Sequence, residues 1–291
     1  MEVTREGLAA LLKGSHTCER FFEQVWEQKP LHVRHGNGYL DGVFSLWDVE
    51  HAVRTADEGD LLLRKNGQDC APRPPHVAYL DGGSIIINHL DRVNASVAAL
   101  CQRLARDLVH CYCVMYLTPP GARAVVAHSD HQDVFILQVA GRKTWQVYGP
   151  DPSKGALVYS NEQVGKPGCS AVGGGPRGSP ELLLPDLAME EGDVLYIPRG
   201  FVHEAQTSPD ASVGSLHLTI TVPTHDYTIG SLLLRGMRSA LRSHVAAPPS
   251  SSAASGEADE TRSAIGANVG GGSDCSADAE AGTAGTDGDV N

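Results

Sequence analysis

No stretch of the 291 residues approaches the roughly 20 consecutive apolar positions that a membrane-spanning helix needs. The opening MEVTREGLAALLKG carries charges where a secretory leader would have its apolar region, so the expectation is a soluble, intracellular protein with no membrane partner. Positive charge is also scarce: 23 basic side chains face 35 acidic ones, a formal net charge of −12. That balance argues against direct nucleic-acid binding. The seven cysteines (Cys18, Cys70, Cys101, Cys111, Cys113, Cys169 and Cys275) include no C-x-x-C pair, and their odd number does not suggest a disulfide framework. Free thiols, mostly packing residues, are expected.

What is present suffices for one large domain or two ordinary ones, and 41% hydrophobic content excludes disorder throughout. Ala246–Asn291 holds eight carboxylates against Arg262 alone and almost no large apolar residue, which reads as a disordered acidic tail. GKPGCSAVGGGPRGSP (Gly165–Pro180) reads as an inserted surface loop, because glycine and proline leave no hydrophobic period. SVAALCQRLARDLV (Ser96–Val109) puts Val97, Leu100, Leu104 and Leu108 on one face and predicts an amphipathic helix. After it, Cys111–Leu117, Asp133–Val139, Thr144–Tyr148, Asp193–Pro198 and Ser215–Val222 are β-branched or aromatic runs bounded by turns. Short strands with no helix between them must pair antiparallel, as a sandwich, barrel or jelly roll. The expected chain is mainly β with N-terminal helices: a helical and strand portion at 1–110, a β core at 111–245 and the tail at 246–291.

Two consecutive H-x-D triplets, His128–Ser129–Asp130 and His131–Gln132–Asp133, stand at the start of the second of these strands. On an extended chain, residues i and i+2 face the same side, so one triplet can aim an imidazole and a carboxylate at a common ion. Such a triplet also arises by chance among 13 histidines, and a histidine near a strand end is commonly just solvated or hydrogen-bonded. EEGDVLYIPRGFVHEA adds to the case. Its Glu191–Gly192–Asp193 turn feeds a strand, Pro198–Arg199–Gly200 reverses the chain, and His203 begins a strand able to return a second imidazole. Two histidines and one carboxylate with open positions form the facial triad of non-haem Fe(II) oxygenases. Zinc accepts the same donors, though the lack of a thiolate favours iron.

The order FFEQVWEQKPLHV (Phe21–Val33), GGSIIINHLDRV (Gly82–Val93), YLTPPG (Tyr116–Gly121), HSDHQDVFILQVAGRKTWQVY (His128–Tyr148), GDVLYIPRGFVHEAQT (Gly192–Thr207) and SLHLTIT (Ser215–Thr221) resembles the ribosomal oxygenases of the JmjC/cupin superfamily. The resemblance runs from about Phe21 to Leu241 and implies a double-stranded β-helix, the jelly-roll or cupin fold. It implies a 2-oxoglutarate-dependent dioxygenase using Fe(2+), 2-oxoglutarate and O2. The family pattern H-x-D, F-[IV]-L-Q, G-x-K-x-W selects His128 and Asp130 over His131 and Asp133, and His203 falls at the distal ligand position. The co-substrate's far carboxylate needs a cation and hydroxyl donors. By resemblance these are Lys143 and Tyr116, with Thr219 or Thr221 adding a further hydroxyl. Read by themselves, Lys143 is a hairpin lysine and the threonines suit any strand.

The implied substrate is a ribosomal-protein histidine or a methylated histone lysine, and the implied compartment the nucleus or nucleolus. Three features depart from the pattern. Val114 stands where relatives often carry asparagine, and His131 where an acidic residue is usual. TIGSLLLRGMRSALRSH (Thr228–His244) leads into the acidic tail, where relatives continue into helical dimerisation and winged-helix regions, so a winged helix is not expected and the oligomeric state is left open. These departures support a rival from another class, a jelly-roll peptide-binding module without turnover.

Overall fold

The structure, a computed structural model, describes residues 7–150, 165, 180–223, 233 and 237. Its helices are α1 (Leu8–Leu12), α2 (Cys18–Gln24), α3 (Leu46–Thr55), α4 (Pro75–Leu80) and α5 (Ala95–Leu108). Among them run the short strands β1 (Leu31–Val33), β2 (Leu61–Lys65), β3 (Gln68–Asp69) and β4 (Ser84–Ile87). Strand then follows strand: β5 (Tyr112–Thr118), β6 (Asp133–Ala140), β7 (Lys143–Pro150), β8 (Leu182–Met189), β9 (Val194–Ile197), β10 (Phe201–Gln206) and β11 (Ser215–Val222). The pairings are antiparallel, in the orders β1-β9-β6-β11-β5-β4-β2-β3 and β10-β7-β8. This is the expected mainly antiparallel β architecture, with strands of the N-terminal portion extending both ends of the large sheet.

Alternation along β11, near the middle of that sheet, explains the layers. Leu216, Leu218, Ile220 and Val222 join the main core, where Val97, Leu100, Leu104 and Leu108 of α5 also lie. His217 and Thr219, on the opposite face, line a pocket shared with the small sheet. Helix α5 starts one residue earlier than its period implies, because the Asn94 side chain accepts the Val97 N–H at 3.0 Å and caps it. It ends where Val109 takes φ 63, outside the helical range.

Strand β8 was not expected from its residues. LLLPDLAM has no clean alternation and contains Pro185, which a central strand would reject; at the edge of the small sheet its missing N–H is tolerated. The glycine-rich loop lies outside the described residues except for Gly165 and Pro180, Thr228–His244 except for Leu233 and Met237, and the acidic tail entirely. Among the described residues no helix is long and apolar enough to cross a membrane.

An aromatic cluster fastens α2 to the barrel. The Phe21 ring meets those of Trp26, Phe135 and Tyr196 at centroid distances of 5.9, 5.9 and 5.1 Å. The Tyr196 hydroxyl donates to Asp133 Oδ1 at 2.6 Å and accepts the Glu27 N–H at 2.9 Å. One side chain thereby joins β9, the start of β6 and the segment after α2. Phe21 is fully buried, so Phe21→Ala should cost about 3–5 kcal/mol of stability, read as a lower midpoint in urea unfolding.

Candidate metal centre and adjoining pocket

His128 and His203 form an isolated antiparallel pair. The His128 N–H donates to the His203 carbonyl at 3.0 Å, and the His203 N–H to the His128 carbonyl at 2.8 Å. Directly opposed residues project their side chains to the same side, and the two ring centroids are 4.4 Å apart. Each Nδ1 faces a carbonyl two residues back, Val126 O at 2.8 Å and Phe201 O at 3.0 Å. A carbonyl only accepts, so Nδ1 carries the proton and each Nε2 keeps its lone pair for the space between the rings.

Asp130 supplies the third donor. Its Oδ2 is 3.9 Å from His128 Nε2 and 3.6 Å from His203 Nε2, beyond hydrogen-bond range. The three donor atoms all lie within 4.8 Å of one another. A first-row divalent ion, bound at about 2.0–2.2 Å by each, fits that gap after a small contraction. The backbone backs the arrangement: Gly200, at φ 83, donates its N–H to the Asp130 carbonyl at 2.7 Å and so ties the turn before His203 to Asp130.

The second triplet takes another course. Asp133 is buried and accepts from the Tyr196 hydroxyl and, at 3.4 Å, from the Arg199 N–H. It stands three residues from Asp130, on the far side of the period-two alternation. His131 neither lines the pocket nor joins the donor cluster.

The donors open into a solvent-connected pocket whose lining includes Tyr116, Lys143, Trp145, His217 and Thr219. Thr221, two residues past Thr219, is buried but outside the lining. Lys143 is 2% exposed, and its Nζ donates to the buried Thr118 Oγ1 at 2.9 Å. Burying an ammonium against one neutral hydroxyl is costly, and burial pushes its pKa down to about 7. His217 is held well below the usual imidazole range by burial and by the Lys143 charge, and is therefore neutral. Its ring stacks on Tyr116 at 4.9 Å, and burial together with the Asp130 charge keeps the Tyr116 hydroxyl protonated.

His217 Nδ1 and Trp145 Nε1 are buried without hydrogen-bond partners. An unsatisfied buried polar atom costs roughly 1–3 kcal/mol. A lysine, an imidazole and an indole with unmet donor capacity fit a ligand with an anionic terminus, as the imidazole and carboxylate donors fit a metal.

Thr118 and His217 escaped the sequence reading, although period two offers a signal: Thr118 follows Tyr116 by two, and His217 precedes Thr219 by two. Val114, two before Tyr116, packs with Ile86 and Ala124 in a small apolar cluster, so the position that relatives often fill with asparagine is apolar here.

Residues 88–228 match the model of the JmjC domain. The chain is 30% identical over 242 residues to "Ribosomal oxygenase 1" of Danio rerio, covering 76% of this chain and 41% of the relative. It is 30% identical over 228 residues to "Bifunctional lysine-specific demethylase and histidyl-hydroxylase NO66" of Drosophila mojavensis, covering 71% of this chain and 24% of the relative. The chain thus spans about two fifths or less of the length of these curated relatives. Its fold is similar to that of Escherichia coli ycfD, with a TM-score of 0.57 at 20% identity over 84% of this chain and 64% of the other. A structure of YcfD, a ribosomal oxygenase from Escherichia coli, in complex with cobalt and 2-oxoglutarate aligns with a TM-score of 0.53 at 19% identity, covering 85% and 63%.

The two triplets separate by mutation. Asp133→Ala should lower the unfolding midpoint, by about 1–3 kcal/mol for each donor left unpaired, with cobalt(II) affinity little changed. Asp130→Ala should leave the midpoint near wild type and weaken cobalt(II) binding at least tenfold, both read by calorimetry.

Proposed function

From the match of residues 88–228 to the JmjC domain and the likeness to ribosomal oxygenases, we propose that the chain is a member of that family and an iron(II)- and 2-oxoglutarate-dependent protein oxygenase. His128, Asp130 and His203 hold the iron, Lys143 binds the far carboxylate of 2-oxoglutarate, and Tyr116 and Thr219 donate hydroxyl hydrogen bonds to the co-substrate. The observation that carries this reading is one pocket lined by two unlike groups: the donor cluster of His128, Asp130 and His203, and the buried ammonium of Lys143. A molecule with a chelating keto-acid at one end and a carboxylate at the other matches the chemistry of these two groups.

Bound there, iron(II), O2 and 2-oxoglutarate supply the chemistry, in which the co-substrate becomes succinate and carbon dioxide while one oxygen atom enters a C–H bond of the substrate. The chain's own side chains do the rest. The Nδ1–H bonds orient both imidazoles, Asp130 offers an anionic donor, and Val134 and Ile136 keep part of the pocket wall apolar. Tyr116 stays protonated and so remains a donor.

The substrate in this reading is a basic protein, a ribosomal protein modified on histidine or a histone modified on methyl-lysine, met in the nucleus or nucleolus. The names of the relatives support the substrate class, and the net charge of −12 favours encounter with basic partners; the compartment rests on the family resemblance alone. Hydroxylating an N-methyl group releases formaldehyde, so the same iron chemistry serves both substrates.

Iron-dependent formation of succinate from 2-oxoglutarate should be abolished by His128→Ala and by Asp130→Ala. With candidate proteins present, mass spectrometry should show a gain of one oxygen on histidine or loss of methyl from lysine. Turnover no greater than in the two variants, whatever the protein offered, would overturn the reading in favour of a peptide-binding module.

The pH dependence follows from Lys143, whose pKa of about 7 in the free pocket must rise when a carboxylate arrives. Below pH 7 the ammonium is already charged and affinity for 2-oxoglutarate is flat. Above pH 7 binding must take up a proton, so affinity should fall by close to tenfold per pH unit until the bound-state pKa is reached. Calorimetry in buffers of different ionisation enthalpy should show this uptake in wild type and none in Lys143→Met.

A further inference from the structure

We infer that His217 is a second binding residue for the terminal carboxylate, donating its Nδ1–H to the same anionic group that Lys143 binds. The inference rests on the 2-oxoglutarate reading above and extends it to a residue to which the resemblance read from the sequence assigns no role. Three observations carry it. His217 is 2% exposed yet lines the pocket, and its Nδ1 lacks a hydrogen-bond partner. The ring is held on two sides, stacked on Tyr116 at an interplanar angle of 5° and meeting Trp145 edge-on at 5.5 Å. Lys143, whose Nζ donates to Thr118 Oγ1 at 2.9 Å, lines the same pocket as His217.

A histidine serving only as filler is expected to bond its ring nitrogens inside the protein. Here an imidazole is fixed in orientation with a nitrogen unmet beside a buried ammonium. A carboxylate accepts from both at once. Its single negative charge is balanced by Lys143 alone, so the second donor is best neutral; a second cation would add desolvation cost with no charge to match. The neutral imidazole meets that requirement, and its tautomer is then Nδ1–H.

Binding is measured on the full chain loaded with manganese(II), under nitrogen, by calorimetry. Two probes of equal carbon number are compared: 2-oxoglutarate, and 2-oxopentanoate, which ends in a methyl group where the former has its far carboxylate. His217→Phe keeps a ring for Tyr116 to stack on and removes the donor. It should weaken 2-oxoglutarate about ten- to a hundredfold and leave 2-oxopentanoate unchanged. His217→Asn, which can place an amide N–H near the Nδ1 position, should recover much of the loss. In the wild-type chain, nitrogen-15 spectra of histidine should show the Nδ1–H proton moving downfield with 2-oxoglutarate and staying put with 2-oxopentanoate, a readout independent of any variant's folding.

Equal losses for both probes, or an unmoved Nδ1–H signal with 2-oxoglutarate bound, would overturn the role of His217. If 2-oxoglutarate binds no better than 2-oxopentanoate in wild type, and Lys143→Met changes neither, the co-substrate reading itself fails. The two failures are distinguishable.

Discussion

The site depends on the exchange of two backbone hydrogen bonds between His128 and His203. These residues are 75 positions apart in the chain, and direct antiparallel opposition is what turns that separation into adjacent imidazoles on one side of the backbone. The carbonyls of Val126 and Phe201 then fix the tautomer of each ring, so the same strand geometry that brings the rings together also chooses which nitrogen faces inward. Asp130 completes the group through the period of two from His128, and the bond from Gly200 to its carbonyl closes the unit.

The other end of the pocket is governed by desolvation. Lys143 enters it immediately after the Gly141 turn, where φ is +66 and a Cβ would stand 2.4 Å from the Gly214 carbonyl, so the hairpin that delivers the lysine requires glycine. Gln138 braces the same corner, its Nε2 donating to Ala140 O and Ser215 Oγ at 2.9 Å each. Rigid placement of a poorly solvated ammonium disfavours the empty pocket and correspondingly rewards an anion that fills it.

Much of this was legible in the residues and some was not, for definable reasons. Helix α5 and the strands β5, β6, β7, β9 and β11 could be read within a residue or two, because the helix carries a clear period and each strand is a β-branched or aromatic run bounded by turns. Strand β8 was hidden by Pro185 and a run of leucines with no alternation, since an edge strand is under weaker constraint than a buried one. Within the site, spacing alone left two H-x-D triplets equivalent. They differ only in three dimensions, where Asp133 serves the Tyr196 hydroxyl and the Arg199 N–H while Asp130 faces the two imidazoles. His217 and Thr118 were passed over because a lone histidine or threonine on an apolar strand looks like packing until its neighbours across the sheet are known.

Strand β11 couples these two halves of the molecule. Its residues alternate between the main core, through Leu216, Leu218, Ile220 and Val222, and the opposite face, where His217 and Thr219 line the pocket and Thr221 is buried beyond it. A slip of one residue would turn four aliphatic side chains to the pocket side of the sheet and an imidazole to the core, so the register that stabilises the fold is the register that builds the site. The pairing with β5 runs without a break from Ser215 to Thr221, whereas the pairing with β6 shifts between Leu216 and His217, close to where Gln138 braces the hairpin. Such an irregularity re-aims a side chain without changing the strands on either side. Here it falls at the residue whose ring lies between Tyr116 and Trp145. Burial of β11 by sheet neighbours on both edges therefore holds the pocket face rigid, and ligand affinity there draws on a surface whose position the hydrophobic core has already determined.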